Sequence, residues 1–127
     1  MMEPLLIVIL AVTLIHFVAD FMLQTHWMAT NKSKSNKALS FHILVYMGAL
    51  FIGAGVLMGF LGTFTFSALV LFVLINGCAH FLTDHITSRA TSALWAQEKT
   101  HDFFVVIGLD QVLHYLVLFT TAAVFLL

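Results

Sequence analysis

TFSALVLFVLINGCAHFLTDHITSR, residues 65–89, decides the fold. Nothing in it carries a formal charge before Asp84, and its first half is apolar almost without interruption. At 1.5 Å per residue, about 20 helical residues cross a hydrocarbon core of about 30 Å, so the stretch is long enough to span a bilayer. Yet it contains His80 and Asp84, four residues apart, with Asn76 one step earlier. That spacing places the three side chains on one helix face, a turn apart. A membrane span with a polar stripe is the reading, and the rest of the chain repeats it.

Working outward, three more apolar stretches of the same length cover residues 4–25, 39–61 and 103–126. The fold class expected is all-α, an integral membrane bundle of four transmembrane helices forming one domain over residues 1–127. Composition agrees, with 61% hydrophobic and only 9% charged residues, against roughly a quarter charged in soluble domains. A mean hydropathy of +1.06 leaves no water-facing exterior. A net charge of −1 argues against nucleic acid as a partner. Pro4 suits a first helical turn, where its missing N–H has no intrahelical partner. The first stretch does not read as a signal peptide, because its flank is acidic at Glu3 and its apolar run carries His16 and Asp20. Cys78 has no partner cysteine in the chain and is expected to be a packed, inert thiol.

Charge sets the orientation. Lys32, Lys34 and Lys37 crowd the first connection, Arg89 and Lys99 flank the third, and the second has no charge. Every Lys and Arg therefore falls on one side. The positive-inside rule makes that side cytoplasmic, with both termini opposite, as in a bacterial inner membrane. Trp27 and Trp95 fall in the same two connections, where an amphipathic ring anchors at headgroup level.

Three spans carry an imidazole and a carboxylate four residues apart: His16 and Asp20, His80 and Asp84, Asp110 and His114. Gln24 continues the first stripe, and His42 with Tyr46 gives the remaining helix a stripe of its own. Because the helices alternate in direction, all of these residues fall in the cytoplasmic half. A carboxylate at membrane depth costs about 2.5–3.5 kcal/mol on the insertion scale, and three of them with no intramembrane Lys or Arg call for a cation. Neutral imidazoles and carboxylates together suit zinc, manganese or iron. Three carboxylates, two divalent ions and one bridging hydroxide sum to zero charge, so two ions are expected, with His16, Asp20, His80, Asp84, Asp110 and His114 as ligands or their orienters. The competing reading is a polar network that only hydrogen-bonds the helices together. His85 lies about 100° round from Asp84 and is expected to pack at an interface. His26 and His101 are expected to be solvated. Gly55 and Gly59 form a G-x-x-x-G step suited to close helix contact, inside the bundle or in a homo-oligomer.

The order His16-x-x-x-Asp20-Phe21-x-x-Gln24-x-x-Trp27, Asn31-Lys32, His42, His80-Phe81-x-x-Asp84, Asp110-Gln111-x-x-His114 resembles the bacterial and phage membrane family called domain of unknown function 3307, over essentially the whole chain. The resemblance implies the topology and the importance of those residues, and no reaction. A fainter likeness is to the inner-membrane metal-dependent hydrolases, which also place His and Asp on short hydrophobic helices.

The chemistry expected is hydrolysis, with a divalent metal that acidifies water and polarises an ester or phosphoester oxygen. His42 is a further ligand or general acid/base, and Tyr46 and Gln24 are substrate-positioning groups. At this depth a membrane lipid is the natural substrate, with Lys32, Lys34 and Lys37 drawing anionic headgroups. The alternatives are a divalent-cation or proton carrier, and a structural or regulatory membrane partner with a buried polar core.

Overall fold

The computed structural model describes residues 3–127, which are mostly helical with no strand among them; Met1 and Met2, part of the expected domain, lie outside the described residues. Helix α1 (Pro4–Phe17) runs directly into a π turn (Val18–Met22). A short α2 (His26–Asn31) follows, then α3 (Asn36–Leu61), α4 (Phe66–Ala96) and α5 (Thr100–Phe125). Among the described residues four helices are long and apolar enough to cross a membrane, counting Pro4–Met22 as one. The chain is thus a four-helix membrane bundle, in which α1 packs on α3 and α5, and α4 packs on α3 and α5.

The element boundaries differ from expectation in several places: the fourth span begins at Thr100 instead of residue 103, and three other differences have a local reason. The first span stops at Met22 instead of residue 25, because the π turn and an extended Thr25 break it; the Thr25 side chain then caps α2, accepting from the Met28 N–H at 3.2 Å. Ser35 caps α3 in the same way, so that helix begins at Asn36. The third span runs on to Ala96, and its 31 residues extend well past a hydrocarbon core of about 30 Å. The extra turns, Ala90 to Ala96, carry Thr91 and Ser92 and read by hydropathy as part of the connection. Gly62 ends α3 in the left-handed conformation (φ 71°), with the Gly62 N–H on the Gly59 carbonyl and the Thr63 N–H on the Met58 carbonyl, the arrangement only glycine adopts without strain.

The bundle is inverted relative to a soluble one. Leu14, Ile52, Val56, Phe60 and Val124 face outward, as a lipid solvent allows. Cys78 is exposed on this face, which corrects the expectation of a packed thiol: it lies two residues beyond Asn76 and two before His80, so the stripe that turns those inward turns Cys78 outward. At the end holding the chain termini the interior is apolar, built from Val8, Val12, Leu50, Ala54, Met58, Leu69, Phe72, Leu118 and Ala122. Gly53 and Gly77 are the close-approach glycines, since a methyl at the first would press on Ile15 of α1 and at the second on Met47 of α3. Gly55 makes ordinary contact with Leu69, and Gly59 faces open space. The G-x-x-x-G step is therefore not a close contact inside the bundle.

Candidate metal centre

Towards the end carrying all the lysines and the arginine, the interior changes from apolar to polar. Four side chains from three elements meet there: Asp20 from the π turn, His42 from α3, and His80 and Asp84 from α4, each offering a ligand atom within 4.8 Å of the others and all buried. The His42 and His80 Nε2 atoms lie 3.1 Å apart. Both turn to the same oxygen, Asp20 Oδ1, at 3.0 and 3.2 Å. Asp84 Oδ2 lies 3.5 and 3.6 Å from the same two nitrogens.

A second group shares Asp84 and adds Asp110 and His114 from α5. His114 Nε2 is 3.6 Å from Asp84 Oδ1, and its Nδ1 is 3.4 Å from Asp110 Oδ2. Neither nitrogen makes a hydrogen bond among the described residues, although both are buried. Asp110 is held instead by Thr87, whose hydroxyl donates to Oδ1 at 2.6 Å, and by the Gln111 amide at 3.1 Å.

His16 belongs to neither group. Its Nδ1 shares a hydrogen bond with the Tyr46 hydroxyl at 3.1 Å, its Nε2 sits 3.4 Å from Gln111 Oε1, and Asp20 Oδ2 is 3.6 Å away. It borders the cluster and positions it. Tyr46 is fully buried behind it, its ring 4.1 Å from that of His80. Gln24 is off the helix and lines the cleft described next, its Oε1 buried and without a partner. His85 keeps a buried Nδ1 without a partner and stacks on Phe81, outside both groups, while His26 and His101 are exposed.

An open cleft of about 610 Å³ leads from this end of the bundle to the cluster, with Asp20, Asp84 and Asp110 on its floor and Phe21, Trp95 and Phe103 among its apolar edges. Its most consequential contact was not legible in the stripes: Lys32 Nζ donates to Asp84 Oδ2 at 2.7 Å. Lys32 thus brings a positive charge directly to the carboxylate cluster. Gln111 is the other residue the stripes passed over. It bridges His16, Asp20 and Asp110, yet it sits about 100° round from Asp110 and so falls outside the four-residue rhythm. Thr87 did carry a signal, being three residues beyond Asp84 on the same face.

The arrangement gathers hard oxygen and imidazole donors in a dry pocket with one wet entrance, which suits a divalent ion. A family model described as "Protein of unknown function (DUF3307)" matches residues 6–127, nearly the whole chain. No curated protein and no solved structure matches it.

Proposed function

Because the chain belongs to the family described as protein of unknown function (DUF3307), whose description assigns no activity, we propose from the site itself that it is a membrane metal-dependent hydrolase, acting on an ester or phosphoester at the membrane surface. His114 carries the reading. A buried polar atom without a hydrogen bond costs about 1–3 kcal/mol, and both ring nitrogens of His114 are in that position while facing two carboxylates. A cation among Asp84, Asp110 and His114 would take up one of the two nitrogens and leave the other, as an N–H, to face a carboxylate.

Asp20, His42, His80 and Asp84 hold one ion in this proposal, and Asp84, Asp110 and His114 a second, with Asp84 common to both. Zinc, manganese or iron fits a donor set of imidazoles and carboxylates. Such ions supply Lewis acidity and an acidified water at the floor of the cleft. The protein's own part is to orient and to exclude. Gln111 and Thr87 hold the Asp110 carboxylate, His16 and Tyr46 wall the site from the apolar half, and Gln24 offers a buried acceptor to substrate. Hydrolysis then adds the water oxygen to the ester carbon or phosphorus while the departing alcohol takes up the proton. A lipid is the substrate source that the depth of the site favours, and the basic end is assigned to the cytoplasm of a bacterial inner membrane by the positive-inside rule. Cysteines at Lys37 and Ala96 in a Cys78→Ala background should both label from that side; labelling from opposite sides would defeat the assignment.

Elemental analysis of the purified protein is the direct test, with one to two divalent ions per chain expected. Asp84→Ala should abolish binding and Asp110→Ala should reduce it. Protein that holds no transition metal, and whose melting temperature and activity ignore added metal, would end the metal reading.

One observation favours a second reading. The Nδ1 atoms of His42 and His80 are buried without partners, whereas metal-ligating imidazoles normally donate from their other nitrogen. Nε2–H groups donating to Asp20 and Asp84 would instead make this half of the cluster a structural network, with Lys32 as its counter-ion. A carrier has less support, since the far interior is sealed by Leu50, Leu69, Phe72 and Leu118, all essentially inaccessible.

A further inference from the structure

Lys32 leaves the end of α2 beside the cleft, where a long side chain would ordinarily extend its ammonium to water. Here it does the opposite, turning in to Asp84 with only 20% of its side chain exposed. The cleft wall above it is rich in donors. Helix α4 presents Thr87, Ser88, Thr91 and Ser92 in successive turns, and Lys34 stands on the α2 side. Thr87 is occupied by Asp110, and Thr91 by the Thr87 carbonyl. Ser88 is not: its Oγ is buried and has no partner among the described residues. A buried hydroxyl on the cleft lining with no internal partner is left to donate to a ligand there.

Charge narrows what that is. Three carboxylates, two divalent ions and one hydroxide already sum to zero, so Lys32 makes the floor positive by one, and Lys34 adds a second positive charge in the cleft lining. A carboxylic ester is neutral and offers these ammonium groups nothing. A phosphate ester carries one or two negative charges on non-bridging oxygens, which accept strong bonds from ammonium and hydroxyl donors together. We infer that the cleft takes a phosphoryl group, with Lys32 exchanging Asp84 for a non-bridging oxygen of the ligand and Ser88 donating to a second. The inference deepens the hydrolase reading and relies on it only for the ions at the floor; the anion contacts are the chain's own.

The test uses the full chain in a phosphate-free maltoside detergent, loaded with manganese, with inorganic phosphate as the probe in calorimetric titration. Lys32→Gln should weaken phosphate binding at least about tenfold, since a hydrogen bond to a charged group is lost. Lys32→Arg should retain most of the affinity, Ser88→Ala should weaken it by a few-fold, and Lys99→Gln, the same charge change on an exposed residue outside the cleft, should leave it unchanged. Manganese content and melting temperature measured on each variant separate lost contact from lost structure; should Lys32→Gln not yield folded protein, Ser88→Ala carries the comparison. Turnover of 4-nitrophenyl phosphate and 4-nitrophenyl butyrate divides the two readings. Cleavage of the butyrate alone, with no Lys32-dependent phosphate binding, overturns the phosphoryl assignment and leaves a hydrolase. Lys32-dependent binding with neither compound cleaved upholds the assignment and removes the hydrolase. Competition by phosphatidate in mixed micelles against glycerol 3-phosphate then tells a lipid headgroup from a soluble ester, the tighter competitor naming the source. Phosphate binding that is absent, or equal in Lys32→Gln and the unaltered chain, rejects the inference.

Discussion

The two halves of this bundle each hold buried side chains, and they are made of opposite materials. Around Phe72 and Leu118 the helices meet through apolar side chains, with the Asn76 amide donating to the Thr121 hydroxyl at 2.7 Å as a polar cross-link. Around Asp84 they meet through imidazoles, carboxylates and one inward-turned lysine. In water the apolar half would be the main source of stability. In lipid, where hydrocarbon tails are as apolar as leucine, helix association rests on packing and interhelical hydrogen bonds. The apolar half is thus a scaffold held by fit, and the polar half is a concentration of ionisable groups of the kind that marks functional sites within membranes.

The largest effect separating the halves is expected from His80→Leu combined with Asp84→Leu. The two side chains lie 3.6 Å apart and are not hydrogen-bonded to each other, and Lys32, released from Asp84, lines the cleft and can extend into it, so the double variant should still insert and melt cooperatively while lipid or phosphoester turnover falls by about a hundredfold. Melting in detergent and turnover on the same preparation decide it; a folded, fully active double variant would erase the functional distinction between the halves. A smaller and opposite effect is expected from Phe72→Ala, which opens a cavity in the scaffold. A loss of about 2–3 kcal/mol in stability, with metal content unchanged, is the expected outcome, and loss of metal without loss of stability would show that the halves are not separable. The smallest effect belongs to Asn76→Leu with Thr121→Val, within about 1 kcal/mol of the parent and without loss of turnover. Should that pair abolish activity while the protein stays folded, the polar function would have to extend through the scaffold, as a carrier requires.

Much of this contrast was legible in the chain. Length and hydropathy gave away four spans because nothing else accommodates so many apolar residues, and the four-residue rhythm of His16, Asp20, His80, Asp84, Asp110 and His114 turned them to a common interior. What the rhythm could not convey is which of those residues touch. His16 shares the spacing of the other pairs but pairs with Tyr46 and Gln111 at the border of the cluster. Lys32 was hidden for a different reason: its place in the cluster depends on how the segment after Met22 folds back, and α2 is too short to show a periodicity. Cys78 was misplaced by reading an apolar neighbourhood as an interior, which holds in water and not in lipid.

The π turn at Val18–Met22, closed by the Leu23 N–H on the Val18 carbonyl at 2.9 Å, has a consequence best counted in codons. A π turn is an α-helix wearing one extra residue, and each residue in a helix is worth about 100° of rotation. Losing a single codon anywhere from 18 to 22 would let the segment relax to an ordinary helix and turn one side of the break by that angle, so that Ile15, His16 and Val12 could not face the same partners while position 20 faced His42. Relatives shorter by one residue here are therefore expected to carry their first acidic ligand at a shifted place, and a gap is better placed in this turn than in the loop that follows it.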